Sequence, residues 1–185
     1  NWALAADEFQ LTKNSTSFYL DSPNSFIVIP AQDVYFFRLT AVDSNGNESN
    51  PGDVYARSIH AHYQEKKRAL IVNGFTRHTG NGSWQSPIHS FVKSYFDPLI
   101  ATDSLVLSSC SNEAVINNLV SLSDFNIVIW FLGDESSSFE TFSKKEQALV
   151  KHYLENGGML LVSGSEIATD LDQDRPGIEP IHRKS

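Results

Sequence analysis

The stretch Asn126-Ile-Val-Ile-Trp-Phe-Leu-Gly133 carries the strongest signal of the fold class. Its unbroken apolar run is typical of a strand buried on both faces, as in a parallel sheet covered by helices. Two shorter runs of the same kind occur elsewhere in the chain, Ala69-Leu-Ile-Val72 and Met159-Leu-Leu-Val-Ser163. Helical patterns separate the runs. The sequence therefore predicts an open, mostly parallel α/β sheet over residues 69–172, with only part of such a domain present.

Three helices are predicted between these strands. Pro87 is well placed to begin the first, which we expect to stop before Pro98. Asn112 is expected to cap a second helix running through Leu122. Ser143, followed three residues later by Glu146, is a capping box that opens the third.

The strand exits carry the polar residues of interest. Right-handed crossovers make the strands parallel, so their carboxyl ends meet at one side of the sheet, where ligands bind in open α/β folds. We call this the carboxyl edge; its candidate residues are Asn73, Asp134, Glu135, Ser163, Ser165 and Glu166. Such a group suits a metal site or an acid/base pair. Alternatively, the same side chains cap helices and bond loop amides.

The first part of the chain has a different hydrophobic pattern. From about residue 9 to residue 57 the pattern has period two and is rich in aromatic and β-branched residues, which predicts strands. In the longest, residues 34–42, the face shared by Tyr35, Phe37, Leu39 and Ala41 is expected to be buried. Ser44-Asn45-Gly46-Asn47 predicts a hairpin turn into a closing strand near Tyr55.

The stretch from Tyr35 to Pro51 resembles the last two strands of a fibronectin type III domain, with Tyr35 either as its corner tyrosine or as an ordinary core aromatic. We therefore expect a partial β-sandwich segment before the α/β domain. The predicted organisation is residues 1–60 for that segment, 61–68 for a charged linker and 69–172 for the α/β domain. Residues 173–185 are interpreted as a tail, either a linker or residues added for expression.

The α/β part resembles a group of secreted bacterial proteins, xanthan lyase-like or golvesin-like, in which a fibronectin type III domain precedes a flavodoxin-like domain related to class I glutamine amidotransferases. The motifs that carry the resemblance are Leu70-Ile-Val-Asn-Gly-Phe75, Ser111-Asn-Glu-Ala-Val115, Ile129-Trp-Phe-Leu-Gly-Asp-Glu-Ser136, Thr141-Phe-Ser-Lys-Lys-Glu-Gln147 and residues 157–172. The resemblance implies a flavodoxin-like fold and an extracellular or cell-surface location. It implies no single mechanism, because fold does not determine function.

The same resemblance places Ser163 where the amidotransferases carry a cysteine nucleophile. A serine there needs a base, and the family's partner histidine comes from a later strand. Other candidates are less specific. Cys110 is expected in a serine-rich loop, His60 and His62 form a His-x-His pair beside the linker, and His152 is expected to pack in the core.

Composition excludes several classes. Fourteen Lys and Arg against 22 Asp and Glu give a net charge of −8 without a basic stripe, so nucleic acid is not an expected partner. One cysteine forms no internal disulfide and no cysteine-rich zinc site. The sequence shows no membrane span and no signal peptide, so we expect any export signal to lie outside it. We predict no cofactor and no resident metal.

Two functions remain in view. The first is an accessory binding or structural module of a larger secreted polypeptide. The alternative is a hydrolase or lyase acting on extracellular glycan or peptide, with Glu135, Ser163 and Glu166 as catalytic residues and Asn73, Asp134 and Ser165 binding ligand. Incomplete sheets also invite pairing between copies, so a homo-oligomer is a further expected partner.

Overall fold

The computed structural model describes residues 33–59, 66–75, 90–100, 104–133 and 141–172. Its strands are β1 (Asp33–Phe37), β2 (Tyr55–Ile59), β3 (Lys67–Asn73), β4 (Leu105–Ser111), β5 (Ile127–Gly133) and β6 (Met159–Gly164). Its helices are α1 (Phe91–Ile100), α2 (Asn112–Ile116), α3 (Lys144–Glu155) and α4 (Ile167–Asp172), with a 3-10 turn at Leu122–Asp124. All six strands belong to one sheet, in the order β1-β2-β4-β3-β5-β6.

The parallel strands form the centre of the sheet. β3 pairs in parallel with β4 on one side and β5 on the other, and β5 pairs in parallel with β6. Counted along the chain, these four strands stand in the order 2-1-3-4. The predicted α/β domain with a mostly parallel sheet is therefore confirmed, and the ends of β3, β5 and β6 lie on the same side of it.

The two antiparallel strands extend this same sheet. β1 pairs with β2 over five residue pairs, and β2 pairs with β4. The part of the chain that the structure describes contains no separate β-sandwich. The predicted hairpin turn is present, with Gly46 at φ 81° and an isolated bridge between Val42 and Glu48.

The face of residues 34–42 expected to be buried is buried only in part: Tyr35 and Phe37, in β1, are half-buried and stack on each other. Leu39 is 70% exposed, and Ala41 is also exposed. Val34 and Phe36 pack against the core instead, and the Phe36 ring meets Phe96 of α1 edge-on at 5.7 Å. The period-two pattern identifies two faces, but the position of α1 decides which of them is covered.

Two apolar clusters hold the layers together. On one face of the sheet, Val92 and Phe96 of α1 pack against the central strands. On the other face, residues from α2, α3, α4 and the 3-10 turn pack around Trp130 and Val72. Each large side chain buried in this way contributes about 1.5–3 kcal/mol.

β4 was not predicted. Cys110, expected in a loop, is a buried residue of this strand. β3 and β5 were predicted from continuous apolar runs. In Leu105–Ser111 three serines interrupt the apolar residues, so the sequence of β4 is not typical of a buried strand.

Three helix boundaries also differ from prediction. α2 ends at Ile116 rather than Leu122, and its N-cap is Ser111, so Asn112 is the first helical residue. α1 continues through Pro98 to Ile100. Proline has no amide to donate to the carbonyl of Ser94, four residues earlier, and α1 ends two residues after it.

Some predictions concern residues outside the described ranges: the early strands, most of the linker, the start of the first helix at Pro87, and the tail. β3 begins at Lys67, inside the predicted linker. Among the described helices, none has the length and apolar character needed to cross a membrane.

Among the described strands, β6 is an outer strand of the sheet. Met159 and Leu161, which share one of its faces, are 48% and 55% exposed. The strand contains no charged residue and no proline, the usual devices that keep an outer strand from pairing with another chain.

Candidate functional site

The carboxyl edge has a defined centre between β3 and β5. These strands are neighbours, yet α1, which follows β3, packs on one face of the sheet and α3, which follows β5, packs on the other. The two connections therefore leave in opposite directions. In open α/β sheets the crevice at such a switch point is the usual place for a ligand.

Two glycines are required beside this crevice. A Cβ atom on Gly74 would lie 2.4 Å from Nε1 of Trp130, and one on Gly133 would lie 2.6 Å from the Phe75 ring. Gly133 also has φ 59°, in the left-handed region that favours glycine. The Gly74 amide donates to the Phe131 carbonyl at 2.8 Å, which holds the two exits together.

Asn73 is committed to internal hydrogen bonds. Its Nδ2 donates to Oδ2 of Asp53 at 2.9 Å, and its Oδ1 accepts from the Phe75 amide at 3.1 Å. The residue is buried. Its amide thus shapes the exit of β3, and it ties that exit to Asp53, a partner which no sequence pattern indicated.

Ser163 lies in the same row of the sheet as Asn73, with Phe131 between them in the register. Two strand spacings separate the serine from the asparagine by about 10 Å. The Tyr95 hydroxyl donates to Oγ of Ser163 at 2.9 Å, and the Tyr95 ring stacks on Phe131 with centroids 5.0 Å apart. Within the described ranges, Tyr95 is the side-chain partner of this serine, and no histidine or carboxylate bonds to it.

Ser165 and Glu166 form the turn after β6. The Ser165 amide donates to the Gly133 carbonyl at 2.9 Å, which links this exit to that of β5. Glu166 is exposed and has φ 59°, a conformation uncommon for a residue with a side chain. A strained, solvent-facing carboxylate therefore stands at the carboxyl edge.

Four of the predicted candidate residues cannot be located relative to the carboxyl edge, because they belong to segments that the structure leaves undescribed. Asp134 and Glu135 lie outside the described residues, as do His60 and His62. Where the chain is described, no three His, Cys, Asp or Glu side chains are grouped so as to hold a metal ion. His152 is exposed rather than packed in the core.

The Cys110 thiol has low reactivity as a nucleophile. Burial, with a smaller effect of the nearby Glu113 charge, raises the pKa of Cys110 to about 12. Burial, together with the Asp53 charge, likewise raises the pKa of Tyr55 to about 12. At neutral pH the thiol is protonated, and a protonated thiol is a poor nucleophile.

A second polar group lies where α2 and α3 begin, and the sequence predicted only its capping box of Ser143 and Glu146. Glu146 is buried; its Oε2 accepts from the Ser143 amide at 2.7 Å and its Oε1 accepts from Nδ2 of Asn112 at 3.0 Å. The capping box was predicted and is confirmed. The bond to Asn112 spans 34 positions in sequence, so no local pattern carries it.

The chain matches no protein-family model, no curated protein and no solved structure.

Proposed function

We propose that this chain is an accessory module of a larger secreted bacterial protein, and that it binds extracellular glycan or peptide at the carboxyl edge without cleaving it. The observation that carries the proposal is the hydrogen bonding of the Ser163 hydroxyl. Its hydroxyl accepts a hydrogen bond from Tyr95, and a tyrosine O–H does not remove the serine proton. An acyl-transfer nucleophile needs a base at that position.

The other described candidates point the same way. Asn73 is used to hold the β3 exit, and Cys110 is protonated at neutral pH. Glu166 remains exposed at the same edge, as an anchor for a hydroxyl or amide group of a ligand. These groups suit recognition better than bond cleavage, since none is paired in the way general acid-base catalysis requires.

The resemblance noted in the sequence supports the secreted, multidomain setting. We propose that the α/β part is flavodoxin-like, because the 2-1-3-4 order of its parallel strands follows the 2-1-3-4-5 order of that fold. We propose further that β1 and β2 derive from a fibronectin type III-like segment.

The remainder of the larger polypeptide is the proposed partner, and β6 is the surface where it would dock. Met159 and Leu161 are exposed there on an uncharged outer strand. Pairing of two copies through β6 is the competing outcome. Light scattering separates the two, because pairing of copies would give a dimer whose fraction rises with protein concentration.

The experiment combines binding and turnover. The purified chain is mixed with extracellular polysaccharides and short peptides, and retention in affinity electrophoresis is measured beside release of reducing ends or unsaturated products. We expect retention of at least one polymer, weakened by Glu166→Ala at unchanged melting temperature, and no product. Glu155→Ala, an exposed carboxylate at the C-terminal end of α3, serves as the matched control.

One observation favours the hydrolase or lyase alternative. The strained residue in the turn between β6 and α4 is Glu166, and strained residues cluster at active sites. In that case Glu166 and Glu135 would supply the acid and base, and Ser163 a contact to substrate. Product formation by the chain alone, abolished by Glu166→Gln, would establish this alternative and overturn the binding proposal.

A further inference from the structure

The contact between β2 and β4 is made in an unusual way. The two strands share one register pair, Arg57 with Ser108, whereas β3 and β4 share seven. Serine hydroxyls bond the backbone on both sides of this pair. We call this contact the serine seam; it consists of Ala56–Ser58 on β2 and Leu107–Ser109 on β4.

The bonds of the serine seam form a symmetric arrangement. The Ala56 amide donates to Oγ of Ser109 at 2.6 Å, and that hydroxyl donates back to the Ala56 carbonyl at 2.9 Å. Across the register pair, the Leu107 amide donates to Oγ of Ser58 at 2.7 Å, and Ser58 donates to the Leu107 carbonyl at 3.4 Å. Each strand thus places one hydroxyl between the two backbones.

A second attachment joins the hairpin to the carboxyl edge. Asp53 precedes β2, and its carboxylate accepts from Nδ2 of Asn73 at the end of β3. The hairpin itself is cohesive, because β1 and β2 pair over five residues and Asp43 holds the turn by accepting from the amides of Asn45 and Asn47.

We propose that the hairpin of residues 33–59 is a strap that opens from β4 along the serine seam as one unit, while β3, β5 and β6 stay folded. β2 meets β4 through two serine hydroxyls and one register pair, whereas β3 is closed on both sides by the ladders of neighbouring strands. Opening must also expose Ala56 and separate Phe36 from Phe96, so the open state is a minor one. Opening of the hairpin also breaks the hydrogen bond between Asp53 and Asn73. The position of the hairpin is therefore coupled to the end of β3.

Hydrogen exchange read by mass spectrometry tests the strap. In the unchanged protein, amides of residues 55–59 should exchange at least about tenfold faster than those of residues 69–73, because local opening precedes global unfolding. The double variant Ser58→Ala, Ser109→Ala should raise exchange in residues 33–37, 55–59 and 105–111 by a further tenfold or so, with residues 127–133 and 159–164 unchanged. Ser104→Ala, an exposed serine beside β4, is the matched control.

Exchange of the Phe75 amide measures the coupling between the hairpin and the end of β3. The Phe75 amide donates to Asn73, so its exchange should rise together with that of β2 in the double variant, and Asp53→Ala should raise it with the serines intact. Equal exchange of β2 and β3 in the unchanged protein would overturn the strap, and this measurement needs no variant to fold. A rise of similar size in every strand of the double variant would equally overturn it, since that result means global destabilisation.

Discussion

Glu166 stands in the left-handed backbone region, at φ 59°, between β6 and α4. For a residue with a side chain this conformation costs about 1–2 kcal/mol, and for glycine it costs nothing. Glycine also makes the unfolded chain more flexible, which removes about 0.4–1 kcal/mol of that gain. We therefore expect Glu166→Gly to be more stable than Glu166→Ala by about 0.5–1 kcal/mol.

Urea unfolding followed by circular dichroism measures this difference in free energy, which corresponds to a shift of about 1–4 °C in melting temperature for a chain of this size. Comparison of glycine with alanine removes the effect of the lost carboxylate, because both variants lack it. Asn118, at φ 57° and away from the carboxyl edge, gives the matched pair Asn118→Gly and Asn118→Ala. A glycine variant more stable than the alanine variant at Asn118 but not at Glu166 would contradict this account of the strain.

The same pair of variants bears on function. If Glu166 contacts the ligand, both variants should lose binding, although Glu166→Gly is the more stable protein. Such a result would mean that the strain is kept for the sake of the site, as happens where activity and stability conflict. Normal binding by Glu166→Gly would remove this residue from the site.

Two other substitutions and two further measurements have defined outcomes. Gly133→Ala should lower the free energy of unfolding by about 2–3 kcal/mol in urea, because it adds backbone strain to a contact of the new methyl group with the Phe75 ring. Glu146→Ala should cost about 2–3 kcal/mol in thermal unfolding, since it leaves the half-buried Asn112 side-chain amide and the Ser143 backbone amide without their acceptor. Cys110 should resist iodoacetamide at neutral pH until the protein unfolds. Stability should fall as the pH rises from about 9 to about 12, because the unfolded chain releases the Cys110 proton near pH 9.0 and the Tyr55 proton near pH 10.0, while the folded protein holds both to about 12.

Each of these outcomes has a result that contradicts it. Glu113→Ala, at an exposed carboxylate, controls for loss of charge. If the Glu113 and Glu146 variants lost equal stability, the result would contradict a stabilising role for the hydrogen bonds of buried Glu146. An unchanged unfolding curve for Gly133→Ala would mean that Phe75 moves aside at no cost. Rapid alkylation of folded Cys110, or stability that is flat above pH 9, would contradict its burial.

Part of the carboxyl edge was predictable from sequence and part was not. The apolar runs placed Gly74, Gly133 and Gly164 at strand ends, and parallel strands bring such ends together. The partners of those residues were not predictable: Tyr95 bonds Ser163 across 68 positions, and Asp53 bonds Asn73 across 20. Side-chain pairs of this kind depend on which helix or loop covers a strand end, and no periodicity records it.

Local sequence is sufficient to specify the strands β3, β5 and β6 and the start of α3, because continuous apolar runs and a capping box act through local burial and local hydrogen bonds. The strand β4 depends instead on tertiary contacts. Its serines are typical of a loop, yet they are stabilised by β3 on one side and by the serine seam on the other. Tertiary contacts also place β1 and β2 in the α/β sheet rather than in a sandwich. An antiparallel hairpin has the same local pattern in both settings, and its place is set by the strand it pairs with.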